Sequence, residues 1–237
     1  MDGVLAAGKA AIRRFYRPFI LIQLVAVALV VAYHVSARVR EVCVELAAWK
    51  TAGGVPLAAA TASLAGGVLP ELAKLVTQRR GVKGRPLLRG RGGEIAFNVA
   101  FFAFNGVVID GLYRFEALII GSDARASTIA AKVAFDQFVF TPPWICVITL
   151  LYLWRARGFS WAAVRPAFGQ GFGSFYRARV LPLLFPDWFF WIPVVSVVYA
   201  FPTPLQYLLF VLALAAWSLI LVVIAGGEPP GSGTLEA

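Results

Sequence analysis

Residues 105–144 read NGVVIDGLYRFEALIIGSDARASTIAAKVAFDQFVFTPPW. Both halves of this stretch are apolar enough to lie in a bilayer, yet both carry charge. Asp110 and Arg114 stand four apart in the first half, and Glu116 follows. Lys132 and Asp136 stand four apart in the second, and Gln137 follows. A spacing of four places the acid and base of each pair on one helix face, within side-chain reach. Ionisable groups inside a membrane span are costly, so they face a protein interior or a water-filled cavity. Two such pairs on consecutive spans predict a polar centre inside a hydrophobic bundle.

The surrounding chain sets the class. It has 237 residues, 60% of them hydrophobic, and a mean hydropathy of +0.78. Soluble domains are about 45–50% apolar. The apolar runs are continuous and long, rich in Ala, Leu and Val, where a transmembrane barrel would show strands of alternating polarity, about ten residues each. The expectation is an all-α membrane protein, a polytopic bundle of about six transmembrane helices (four to six) in a single domain. Two cysteines, Cys43 and Cys146, and one histidine, His34, supply neither a zinc site nor a disulfide framework. No metal or cofactor is expected, and both thiols should be free.

Residues 1–18 form a basic lead-in with Lys9, Arg13, Arg14 and Arg17, and Pro18 suits the first turn of a helix. A first span covers 19–35. A signal peptide is the competing reading, but Arg38, Arg40 and Glu41 follow in place of a small-residue cleavage site. His34, at the far end, reads as structural or interfacial. Arg38–Lys50 is a mixed connector. The second span, 51–69, is mostly Gly, Ala, Thr and Ser, which lets helix backbones approach closely in lipid. Pro56 either kinks it or stands on a first turn. Residues 71–93 form a basic loop with Lys74, Arg79, Arg80, Lys83, Arg85, Arg89 and Arg91. Its lack of interleaved aromatics argues against nucleic acid and for a cytoplasmic loop touching anionic lipid headgroups.

The third span is 95–120. The fourth, 127–153, contains Pro142 and Pro143, so a kink is expected near Asp136 and Gln137. Residues 154–180 form a second basic connector suited to the membrane surface. The fifth span, 181–201, opens with Asp187, Trp188 and Trp191 and closes with Tyr199, the aromatics reading as interfacial anchors. The sixth span is 205–225, and the tail 226–237 reads as disordered.

With the N-terminus inside and six crossings, inside segments hold 16 of the 22 Lys and Arg and outside segments hold 4; Arg114 and Lys132 lie in spans. That asymmetry places both termini in the cytoplasm. A four-span version would make the second span and the last pair partly re-entrant. No organelle presequence is evident, so a bacterial cytoplasmic membrane is the first expectation and an organelle membrane (mitochondrial, peroxisomal or plastid) the second.

Several segments carry a resemblance. Gly106 and Tyr113, then Lys132, Asp136, Gln137 and Pro143, then Trp188, Trp191 and Pro193, resemble signatures of the Mpv-seventeen family, which includes the twenty-two-kilodalton peroxisomal membrane protein. Val107, Asp110 and Leu112 depart from that family's Pro, His and Trp. The resemblance covers about half the chain and implies a channel-forming membrane protein for small solutes or ions, without enzymatic activity.

From the residues themselves, Asp110, Arg114, Lys132 and Asp136 either line a polar path or brace two helices as a closed salt-bridge network, with Glu116 and Gln137 behind them. A non-transporting scaffold or assembly factor, as a homo-oligomer or with a partner, is the alternative. An intramembrane hydrolase is disfavoured. His34 has no recognisable Ser partner, and an Asp110–Asp136 dyad would need a shared proton where each acid already has a base at helix spacing.

Overall fold

The computed structural model describes residues 20, 23–25, 27–78 and 91–225. The basic lead-in, the central part of the first basic loop (79–90, with Arg79, Arg80, Lys83, Arg85 and Arg89) and the tail 226–237 lie outside the described residues. Among the described residues there is no strand, and the chain is an all-α helical membrane protein. Four helices are long and apolar enough to cross a bilayer: α2 (Ala37–Leu75), α3 (Gly92–Ile119), α4 (Ala126–Ala156) and α5 (Phe172–Val198). Two shorter apolar helices flank them, α1 (Gln23–Val35) and α6, which runs Thr203–Ala225.

The boundaries of α3 and α6 fall close to the apolar runs. Three others differ for physical reasons. The Arg38–Lys50 connector is helical: Ser36 caps it by accepting from the Val39 N–H, and it runs straight on into the second span. The second span is therefore part of the longest helix, Ala37–Leu75. The break inside α2 is at Gly54, with φ 52°, a backbone region that only glycine occupies freely. Pro56 then stands on the first turn of the resumed helix, where its missing N–H does no harm. The second basic connector is split. A turn at Gly158–Phe159, a short helix Trp161–Val164 and a 3-10 turn Arg165–Phe168 occupy its first part, while residues from Phe172 onward already belong to α5.

One pattern recurs in three of the four long helices. Each contains a π-turn: Ser63–Val68 in α2, Phe135–Phe140 in α4 and Tyr176–Val180 in α5. Each is followed, two residues after its end, by a proline: Pro70, Pro142 and Pro182. A proline inside a helix lacks an N–H and collides with the carbonyl four residues back. Widening the preceding turn moves that carbonyl aside, so the helix runs on through the proline without ending.

The helices gather in two compact units. Unit 1 is Met1–Leu29 with Asp123–Ala200, and unit 2 is Val30–Ser122 with Phe201–Ala237. In unit 2, α2, α3 and α6 pack on one another. The small-residue face of α2 is buried as its composition implies, through Ala58, Ala62, Ala65, Gly66 and Gly67. Ser63 donates its hydroxyl to the Val99 carbonyl of α3 at 3.1 Å. In unit 1, α4 packs on α5, and Gln23 of α1 donates to the Phe190 carbonyl at 3.2 Å. Cys146 lies in a cluster with Phe175 and Val180, and both thiols are free.

Candidate functional site

The residues of α3 on its buried face are Phe101, Asn105, Ile109, Leu112 and Glu116, with Gly106, Asp110 and Tyr113 beside them. Helical spacing thus carries Asp110 into the interior of unit 2. Arg114, one turn on, binds its Oδ2 at 2.8 Å, as the spacing of four implies. The second partner is not visible in the stretch itself. Lys50 Nζ binds Asp110 Oδ1 at 2.7 Å, with only 3% of the lysine side chain exposed. The sequence puts Lys50 in an outside connector because it ends a charged segment. The helix through it and the break at Gly54 turn it inward instead, and it leaves the outside charge count. Its ammonium also lies 4.8 Å from the centre of the Tyr207 ring, a favourable cation–π distance. The Tyr207 hydroxyl donates to the Ala58 carbonyl. Gly106 makes this meeting of helices possible. A Cβ there would stand 2.5 Å from Ala62 Cβ, 2.6 Å from the Ala58 oxygen and 2.8 Å from the Tyr207 hydroxyl.

Unit 1 holds a second centre, built differently. The π-turn of α4 carries Asp136 and Gln137 into the interior. Lys132, one turn earlier, is 1% exposed, and its Nζ lies 5.4 Å from the Tyr199 ring centre. The Tyr199 hydroxyl donates to Asp136 Oδ2 at 3.0 Å. Thr141 donates to Oδ1 at 3.5 Å. Tyr199 therefore bridges Lys132 and Asp136. It is 1% exposed, so it is part of the polar centre and not an interfacial anchor.

Trp188 is likewise no simple anchor, because α5 begins at Phe172 and places it mid-helix. Its indole N–H donates to the Gln137 carbonyl at 2.8 Å. The reason lies in the π-turn. The Thr141 N–H bonds the Asp136 carbonyl, one residue further back than in an α-helix. The next donor in that pattern would be residue 142, which is proline, so the Gln137 carbonyl needs a partner from outside its own helix.

The two predicted charge pairs consequently belong to separate units, each with its own acid, lysine and tyrosine. Glu116 is fully buried in unit 2. Trp191 stacks edge-on against Phe190, and Pro193 lies within α5. Tyr113 is 2% exposed and packs against Phe210. His34 is exposed, with its ring against Tyr33 and its carbonyl accepting from Arg40. At the described ends of the first basic loop, Glu71 is held by Lys74 at 2.7 Å and Arg91 at 2.9 Å, tying α2 to α3. Outside the spans, the Asp123 carboxyl is held below its usual range by the Thr128 hydroxyl and the Arg125 backbone N–H. A shallow apolar groove of unit 1 is lined by Ala126, Ile129, Ala130, Val133, Ala134, Phe138 and Ser196, with none of the charged side chains in it. Among the described residues no group of three or more His, Cys, Asp or Glu is placed to hold a metal ion.

No protein-family model, curated protein or solved structure matches the chain.

Proposed function

We propose that this chain is an integral membrane channel or facilitator for small solutes or ions. One observation carries the reading: Lys50, Asp110, Glu116, Lys132, Asp136, Gln137 and Gln206 are all buried within otherwise apolar helices. Such groups are expensive in lipid and mark solute or ion pathways. The Asp136 centre is the better candidate for contact with a solute, because hydroxyls hold its carboxylate. The Asp110 centre is the better candidate for a brace, because two cations already fill both of its carboxylate oxygens. That second fact favours, for unit 2, the alternative of a non-transporting scaffold or assembly factor able to form a homo-oligomer. Kinship with the Mpv-seventeen family belongs to the same proposal and rests on the short motifs around Gly106, Lys132–Pro143 and Trp188–Pro193. Contact of the basic loops with anionic headgroups, cytoplasmic termini and a bacterial or organelle membrane complete the reading.

Single-channel recording of the purified protein in planar bilayers, across a salt gradient, tests it. Discrete openings are expected, with a reversal potential that moves in Asp136→Asn. Folded protein that never opens in any sample would end the channel reading and leave the scaffold.

A further inference from the structure

Helices α4 and α5 are each long and apolar enough to cross a bilayer, so the residues that join them lie at one of its faces. Residues 154–180 hold Arg155, Arg157, Arg165, Arg177 and Arg179, and no Asp or Glu occurs between Asp136 and Asp187. Arg157, Arg165, Arg177 and Arg179 are exposed. None of these four forms an ion pair with a described residue. Arg157 donates one guanidinium N–H to the Ala163 carbonyl at 3.3 Å, and the fork has four more N–H groups.

Aromatic rings stand out beside these charges, and the fold holds them there. Trp154, on the last turns of α4, stacks on Trp161 at 5.5 Å and 16°, and Phe159 meets Trp154 edge-on at 4.9 Å. Phe159 has φ 61°, a backbone region that a bulky side chain rarely enters, so its neighbours must hold it. Ser160 caps the short helix that follows by accepting from the Ala163 N–H. Further on, Gly171, with φ 87°, turns the chain into α5. Phe172 stands there beside Phe175, which is buried and stacks on Phe168 at 4.5 Å. Half or more of Phe159, Trp161 and Phe172 is left exposed.

Aromatic rings at the end of a span sit at headgroup level. Guanidinium forks match phosphate with two parallel N–H bonds. A soluble anion would use the arginines and leave the rings in water, and a neutral lipid would use the rings and leave the arginines without counter-charge. An anionic phospholipid uses both.

We propose that residues 154–180 form a binding surface for anionic phospholipid, in which the exposed arginines hold the phosphates while Phe159, Trp161 and Phe172 enter the acyl boundary. The proposal rests on the reading of the basic loops as contacts for anionic headgroups and assigns one of them a built site. It stands whether or not a solute passes.

Quenching of Trp161 by brominated lipid tests it. The full-length protein is placed in mixed phosphatidylcholine–phosphatidylglycerol discs with bromine on one lipid or the other, and the Trp161 signal is the difference from Trp161→Phe. At equal amounts, brominated phosphatidylglycerol should quench several-fold more than brominated phosphatidylcholine. Arg165→Gln alone should reduce that preference. In Arg157→Gln/Arg165→Gln the two lipids should quench equally with total quenching kept, which shows the ring still seated in lipid. Arg38→Gln/Arg40→Gln removes as much charge from unit 2 and should keep the preference. Equal quenching in the wild type, a preference that survives in the double variant at 157 and 165, or one that dissolved glycerol phosphate abolishes, overturns the proposal. Phosphatidylglycerol enriched around the whole protein, counted with spin-labelled lipid, but not at Trp161 would overturn this site and spare the wider reading of the basic loops. No enrichment by either measure ends both.

Discussion

Two centres with nearly the same parts are wired in opposite ways. In unit 2, Asp110 sits between Lys50 and Arg114, and Lys50 rests on the Tyr207 ring. In unit 1, Asp136 accepts from Tyr199 and Thr141, while Lys132 rests on the Tyr199 ring. The tyrosine is the difference. Tyr207 turns its hydroxyl away from the acid to the Ala58 carbonyl, so two cations neutralise Asp110. Tyr199 turns its hydroxyl onto the acid itself. A carboxylate closed by cations is a strut. One held by hydroxyls exchanges its partners at lower cost, because parting it from a neutral donor separates no pair of opposite charges.

Paired neutralisation breaks the comparison most sharply. Asp110→Asn leaves the Lys50 ammonium buried opposite a neutral amide. Removing one partner of a buried pair costs about 3–5 kcal/mol. Asp136→Asn keeps an amide oxygen able to accept from Tyr199, and its expected cost is about 1 kcal/mol or less. The midpoint of heat-induced loss of folded protein in detergent measures both. Equal losses would mean that the two centres are equivalent braces.

Glycine contrasts along α3 sharpen the picture of unit 2. Gly106→Ala drives a methyl into Ala62, the Ala58 carbonyl and the Tyr207 hydroxyl together. Overpacking of this kind costs about 1–3 kcal/mol. Gly111→Ala, on the same helix with nothing within 4 Å, should instead be neutral or stabilising by up to about 1 kcal/mol, from helix propensity. The same thermal measurement separates them, and a tolerant Gly106 would show that the helices do not meet as closely as described.

The helical class and the lengths of α3 and α6 were legible because continuous apolar runs of membrane length have few alternative readings. The Asp110–Arg114 contact was legible because it is local to one helix. Lys50 was not, because its partner is sixty residues away and its burial depends on a helix running through a charged segment to Gly54. Tyr199 and Trp188 were misplaced for a related reason. Aromatic residues near the end of an apolar run read as interfacial, and only the earlier start of α5 puts Trp188 in mid-helix. The division into two units left no trace in hydropathy, since apolar helices of membrane length occur in both. One signal was readable in hindsight: a proline two residues beyond each π-turn, at Pro70, Pro142 and Pro182.

That signal gives the smallest and most specific test. The widened turn before Pro142 and the absent proline N–H leave the Gln137 carbonyl to the Trp188 indole. Trp188→Phe keeps most of the ring surface against Phe138 and Phe185 and removes only the donor. A buried carbonyl left without its partner costs about 1–3 kcal/mol, and the lower end applies here because Trp188 is only half-buried. The donor can also be restored from the other side. Pro142→Ala returns an N–H at the position where the π-turn would use it, so it should reduce the penalty of Trp188→Phe measured in its background. If the penalty is the same in the Pro142→Ala background as in the wild type, the indole bond does not compensate the proline.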